Sequence, residues 1–239
     1  MTYFELQATS HFSFLRGASS CEELFAHASI LGLKGLAIVD RNSLAGIVRA
    51  HEAAKTTGIR LIVGCRLDLV DGMSLLVYPT DRAAYSRLCR LLSVGKKRGG
   101  KAKCILEWND VLDWNEGLLA ALVPDEADDA CALRLRKLRD AFRDRAYVAL
   151  TLRRRPNDQL RLHDLTGLAQ RLGVRTVVTN DVLFHEPHRR ILQDVVTCTR
   201  QLLLNTQSPH LNKPVRAASA QCKTASRARP AAATKAEGG

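Results

Sequence analysis

An α/β fold is predicted by three features of the 239-residue sequence: short apolar runs, helical segments that alternate with them, and start and stop signals at the joins. Residues 3–9 read as a short strand. Ser20 stands three residues before Glu23 in a capping-box arrangement, so a helix over 21–31 follows, with Leu24, Phe25, Ala28 and Leu31 at helical spacing and Gly32 as its stop. GLAIVD (35–40) is a buried-type strand, and 43–56 is a helix ending near Gly58. Strands at 60–70 and 74–78, a helix at 81–94, a basic loop at 96–103, a strand at 117–123 and a helix at 126–143 continue the pattern. A strand at 146–152, a helix at 157–172, a strand at 174–179 and a helix at 187–199 complete it. Roughly seven strands predict a closed or nearly closed barrel rather than a short open sheet.

The composition, 46% hydrophobic, supports one substantial core. No apolar run reaches the roughly 18 residues of a membrane span, and residues 1–7 lack the basic-then-apolar order of a signal peptide, so a cytoplasmic location with no membrane partner is expected. Seven cysteines stand singly, with no pair at the two-residue spacing of zinc or redox motifs, and are read as reduced thiols. The net charge of +12 is uneven: residues 207–239 hold six Lys or Arg against one Glu. From about 205 the sequence turns to Ala, Ser, Pro and basic residues without apolar periodicity, which predicts a domain over 1–204 and a disordered basic tail over 205–239. A positive balance attracts polyanions but does not define a site.

Three segments, LQATSHFSFLRGAS (6–19), GLAIVDRNSLAGIVRAH (35–51) and VVTNDVLFHEPHRRILQDVVTC (177–198), resemble the PHP (polymerase and histidinol phosphatase) domain of bacterial DNA polymerase III alpha subunits. Their details resemble the error-prone branch. LIVGCRLDL (61–69) and SLLVYPTDRAAYSRLCRLLS (74–93) match in the same order, so the resemblance covers about residues 3–200. It implies a distorted seven-stranded β/α barrel with a metal cluster at one mouth, where His, Asp, Glu and Cys ligands hold divalent ions that activate water for phosphoester hydrolysis.

Residue by residue, the resemblance implies a degenerate metal pocket. The two histidines expected at the end of the first strand are Gln7 and Thr9, and the expected Asp-His is Asp40-Arg41. The glutamate expected after Cys65 is Arg66, and the histidine opening the next strand is Ser74. In the late motif Asp181 persists, while the histidines expected near it are Leu183 and Gln193. Only Asp40 and Asp181 then remain, and the two introduced arginines are expected to neutralise them by ion pairing. No catalytic residue, metal or other cofactor is therefore expected here, although the full-length family uses Mg for polymerisation.

Other features have plainer readings. His185 and His188 flank Pro187 in a predicted loop and are not expected to bind zinc. Asp110, Asp113, Glu126 and Asp128 lack the Asp-x-Asp spacing of two-metal nucleotidyl transfer. Lys96, Lys97, Arg98, Lys101 and Lys103 are candidates for DNA contact, as flexible basic loops touch phosphates. The resemblance names DNA and polymerase or mutagenesis accessory proteins as partners of the full-length family. It leads to the expectation of a truncated piece of a translesion polymerase, without a polymerase active site; a metal-dependent phosphoesterase and a non-catalytic scaffold remain the alternatives.

Overall fold

The computed structural model describes residues 3–101 and 103–207. Contacts divide the chain into Met1–Arg200 and Gln201–Gly239, and of the second unit only 201–207, which are helical, are described. The expected disordered tail lies outside the described residues from 208 onward, whereas 205–207 continue a helix.

Three parallel strands form one sheet in the order β1 (Phe4–Ala8), β2 (Gly35–Ile38), β3 (Arg60–Val63). A second sheet runs β4 (Cys65–Asp68), β5 (Ser74–Pro79), β6 (Leu118–Leu122), β7 (Ala146–Thr151), β8 (Arg175–Thr179). Here the pairs β4–β5 and β5–β6 are antiparallel, and the last two pairs are parallel. In place of the expected distorted seven-stranded β/α barrel, the described residues form eight strands in two sheets, one of them mixed. The difference arises at Gly64, which splits the predicted 60–70 strand: a Cβ there would lie 2.7 Å from Val39 Cγ1 and 2.8 Å from the Tyr78 ring. Only a residue without a side chain passes so close to both.

The helices are α1 (Cys21–Ile30), α2 (Ile47–Thr57), α3 (Arg82–Gly99), α4 (Trp108–Trp114), α5 (Asp129–Phe142), α6 (Asp158–Arg171) and α7 (Arg190–Gln207). The predicted capping box holds: Glu23 N donates to Ser20 Oγ at 3.1 Å, and Ser20 N donates to Glu23 Oε2 at 2.9 Å. Caps of this kind contribute about 1 kcal/mol. Asp128 caps α5, accepting from Cys131 N at 2.7 Å. The basic stretch expected as a loop is half helical, because Lys96, Lys97 and Arg98 form the last turn of α3, where positive charge favours the helix dipole. Helix α4 has no counterpart in the sequence reading.

Three apolar clusters hold these layers. Phe25, Leu24 and Ala28 of α1 pack with Ile38 and Ala50 on one side of the first sheet. Leu88 and Leu91 of α3, Leu135 and Phe142 of α5 and Leu165 of α6 cover the second sheet. Each fully buried Leu, Ile or Phe among them contributes about 1.5–3 kcal/mol. The third cluster unites the sheets: Ala37, Val39, Leu76, Ala121 and Ala149 meet in the interior, with Leu6, Tyr78 and Val177 packed against them. Single bridges also join the sheets at both edges, Arg41 with Arg66 and Ala8 with Val182. Those two joins position the candidate site.

Candidate functional site

At the first join, Arg66 N donates to Asp40 O at 3.0 Å and Asn42 N donates to Arg66 O at 2.8 Å. At the second, Thr9 N donates to Val182 O and Val182 N to Gln7 O, both at 2.8 Å. The polar residues singled out in the sequence cluster around these seams, at the carboxyl ends of β1, β2, β7 and β8, where open α/β sheets place their ligand sites.

Gln7 is fully buried and fixed at both ends of its amide. Its Nε2 donates to Asp181 Oδ1 at 2.7 Å, and its Oε1 accepts from Thr179 Oγ1 at 2.8 Å. Thr179 Oγ1 in turn lies 2.7 Å from Thr151 Oγ1. Asp181 adopts a left-handed backbone (φ 49°) and also faces Arg66 Nη1 at 3.6 Å. Thr9, 1% exposed, contributes its backbone to the seam.

Asp40 departs from the expected ion pairing. No arginine pairs with it among the described residues; instead it accepts from Ser10 N at 2.9 Å, Ser10 Oγ at 2.8 Å and Ser13 Oγ at 2.7 Å. Gly46 fits beneath, since a Cβ there would lie 2.6 Å from Asp40 Oδ2. Burial raises the Asp40 pKa above the ordinary carboxylate value, and the serine hydrogen bonds offset this only in part.

The arginines pair with a third carboxylate that sequence reasoning missed. Arg41 Nη1 donates to Asp68 Oδ2 at 2.5 Å, and Arg66 Nε lies 3.5 Å from Asp68 Oδ1. Ser74 Oγ bridges them, accepting from Arg66 Nε at 2.8 Å and donating to Asp68 Oδ1 at 2.7 Å. The available signal was the strand period: Arg66 and Asp68 are two residues apart on β4 and share a face, and Ser74 is the β5 partner of Asp68. Burial acts to raise the Asp68 pKa, but the Arg41 charge, the Ser74 hydroxyl and Arg66 outweigh it, and the net shift is downward. Burial, then repulsion from Arg41, lowers the Arg66 pKa against the attraction of Asp181 and Asp68.

A depressed folded pKa means that the stability Asp68 contributes is present above its unfolded value and is lost as pH falls through the folded one. Unfolding free energy measured by urea titration across the acidic range is therefore expected to decline less steeply for Asp68→Asn than for the parent. Parallel declines would refute this assignment.

Leu183 and Gln193 lie apart from this network. Leu183 offers its carbonyl to Ala18 N at 2.8 Å. Gln193 Nε2 donates to Arg16 O at 2.9 Å, tying α7 to the loop after β1, while its buried Oε1 has no partner among the described residues. His185 Nε2 and His188 Nε2 both meet Glu186 Oε1, at 2.9 and 2.7 Å, and His185 Nδ1 lies 2.8 Å from Ser19 Oγ. Among the described residues no group of three His, Cys, Asp or Glu side chains is arranged to hold a metal ion, and the six described cysteines are free thiols.

The basic segment divides. Lys96 and Lys103 line a cleft beside Arg41 and Asp68. Arg98 is engaged by Asp110 through two hydrogen bonds of 2.6 and 2.9 Å, and Lys97 and Lys101 are exposed outside the cleft lining. No helix of the described residues is long and apolar enough to cross a membrane.

Comparison with known proteins identifies the family and the fold. The chain is 69% identical over 198 residues to error-prone DNA polymerase 1 of Agrobacterium fabrum, covering 83% of this chain and 18% of that protein. It is 50% identical over 201 residues to the error-prone DNA polymerase of Caulobacter vibrioides, covering 83% and 19%. The chain thus spans about a fifth of the length of these relatives. In fold it is similar to an amidohydrolase from Chromobacterium violaceum, solved with sulfate and no metal (TM-score 0.61, 14% identity, 76% of this chain and 87% of that one). It is also similar to a candidate metal-dependent phosphoesterase from Bifidobacterium adolescentis (TM-score 0.58, 14% identity, 77% and 88%). Residues 5–153 match the PHP domain family, and this chain belongs to that family.

Proposed function

We propose that this chain is the PHP domain of an error-prone DNA polymerase, in which a network of fixed charges and hydrogen bonds stands where related domains hold metal ions. For the whole protein the proposed activity is Mg-dependent DNA synthesis during translesion replication, with DNA and polymerase or mutagenesis accessory proteins as partners, in the cytoplasm. The segment itself is proposed to be non-catalytic and to hold a barrel-like mouth in shape. The identity to error-prone polymerases supports the first statement.

One observation carries the second: every carboxylate of the pocket already has donors. Asp40 has Ser10 and Ser13, Asp68 has Arg41 and Ser74, and Asp181 has Gln7. The donor set does not fit a divalent cluster, because Gln7 and Thr9 replace imidazoles with neutral, weaker ligands and two guanidinium charges oppose a cation. The orphaned Gln193 Oε1 is a single amide oxygen and makes no coordination shell alone.

The test is metal content and phosphomonoester hydrolysis by the purified chain with added manganese or zinc. The expected result is substoichiometric metal and hydrolysis no faster than that of Asp40→Ala. Metal-stimulated hydrolysis that Asp40→Ala abolishes would instead assign a phosphoesterase.

A further inference from the structure

The cleft beside the pocket has an unbalanced charge. Its volume is roughly 480 Å³, and Arg16, Arg41, Lys96 and Lys103 line it against one carboxylate, Asp68. That carboxylate is already satisfied by Arg41 and Ser74. Arg16 is half-buried, yet its guanidinium has no hydrogen-bond or ion-pair partner among the described residues; the ammonium groups of Lys96 and Lys103 have none either. The Arg16 guanidinium therefore keeps its donors free and open to the cleft, available to an acceptor that enters it. Burial, chiefly, lowers the Arg16 pKa to about 10; repulsion from Arg41 and Arg200 adds to it and the attraction of Asp68 opposes it. At the rim, Phe14 is 81% exposed and also lines the cleft.

We propose that this cleft binds the phosphate of a nucleotide through Arg16, Arg41, Lys96 and Lys103, with Phe14 as the face on which the base stacks, and that it does not hydrolyse it. A phosphate monoester supplies up to two negative charges and pairs of oxygens that accept the two parallel N–H donors of a guanidinium fork. An exposed aromatic ring accepts any base by stacking. The volume lies within the range of small-molecule sites. A free nucleotide and the phosphorylated end of a single strand present the same chemistry. Absence of hydrolysis rests on the metal-free reading above, whereas binding rests on the cleft alone.

The full chain, treated with chelator, is titrated calorimetrically with 5′-dAMP, a 5′-phosphorylated oligodeoxynucleotide, inorganic phosphate and deoxyadenosine. The expected result is binding of the first three and none of deoxyadenosine. Arg16→Gln and Lys103→Gln are each expected to weaken dAMP about tenfold. Phe14→Ala is expected to weaken dAMP several-fold and leave inorganic phosphate unchanged. A tighter oligonucleotide assigns the strand end as ligand, and equal affinity assigns the free nucleotide. Arg16→Gln has no partner to lose and is expected to melt no lower than the parent; if it fails to fold, the exposed Lys103→Gln carries the test.

Failure of both dAMP and the oligonucleotide to bind at millimolar concentration overturns the proposal, as does equal affinity in both charge variants. Release of phosphate from bound dAMP on adding manganese would overturn the metal-free reading while leaving the binding site in place.

Discussion

Replacing Arg66 by methionine is expected to lower the unfolding free energy by about 3 kcal/mol, the scale for removing one partner of a buried charge cluster. Arg66 is 9% exposed and, among the described residues, is the only one that pairs a positive charge with both Asp68 and Asp181, at 3.5 and 3.6 Å. Without it, Ser74 Oγ loses its donor and the two carboxylates are left to Arg41 and Gln7. Arg66 also lies on the bridge between the two sheets, so the loss is expected to be cooperative rather than local. Urea unfolding should show a lower midpoint at an unchanged slope. Arg66→Lys should fall between, since an ammonium is a point charge and cannot span three acceptors as a guanidinium does. A methionine variant within about 0.5 kcal/mol of the parent, the usual range for neutral surface changes, would show that the network is not holding the seam.

Asp40→Ala is expected to cost a similar amount, about 3 kcal/mol, by a different mechanism: it orphans three buried donors at once. Ser10 and Ser13 are both buried, and their loop leads directly to Phe14 and Arg16, so the same variant is expected to lose nucleotide binding. Asp40→Asn separates shape from charge. The folded pKa of Asp40 is raised, so the folded state holds the proton longer than the unfolded one. Parent stability therefore declines as pH rises from the ordinary carboxylate value through the raised folded value. Asp40→Asn should lack that slope, which is opposite in sign to the one assigned to Asp68. Identical pH profiles for parent and Asp40→Asn would remove Asp40 from the titrating groups.

Much of the scaffold is written locally. The capping box at Ser20, the stop at Gly58 and the apolar runs of β2, β5 and β7 depend on neighbours within a few residues, and the sequence predicts each near its observed place. The family motifs around Gln7, Asp40 and Asp181 likewise name most of the residues that meet at the seams. The charge of residues 96–98 was readable, but its helical state was not, because a basic run fits both a solvated loop and the last turn of a helix.

What the tertiary structure decided is pairing. Gly64 carries no turn signal that separates a long strand from two short ones; the split follows from Val39 and Tyr78 lying where a Cβ would fall. Asp68 became the partner of Arg41 because β4 and the segment after β2 meet edge to edge, 27 residues apart in sequence. Asp40, expected to pair with an arginine, is instead enclosed by a serine loop. Composition and spacing determined that this protein is an α/β domain, and the family resemblance named most of the polar residues that meet at its seams. Which charge meets which, and which arginine is left without a partner among the described residues, depends on contacts between distant segments that no local pattern encodes.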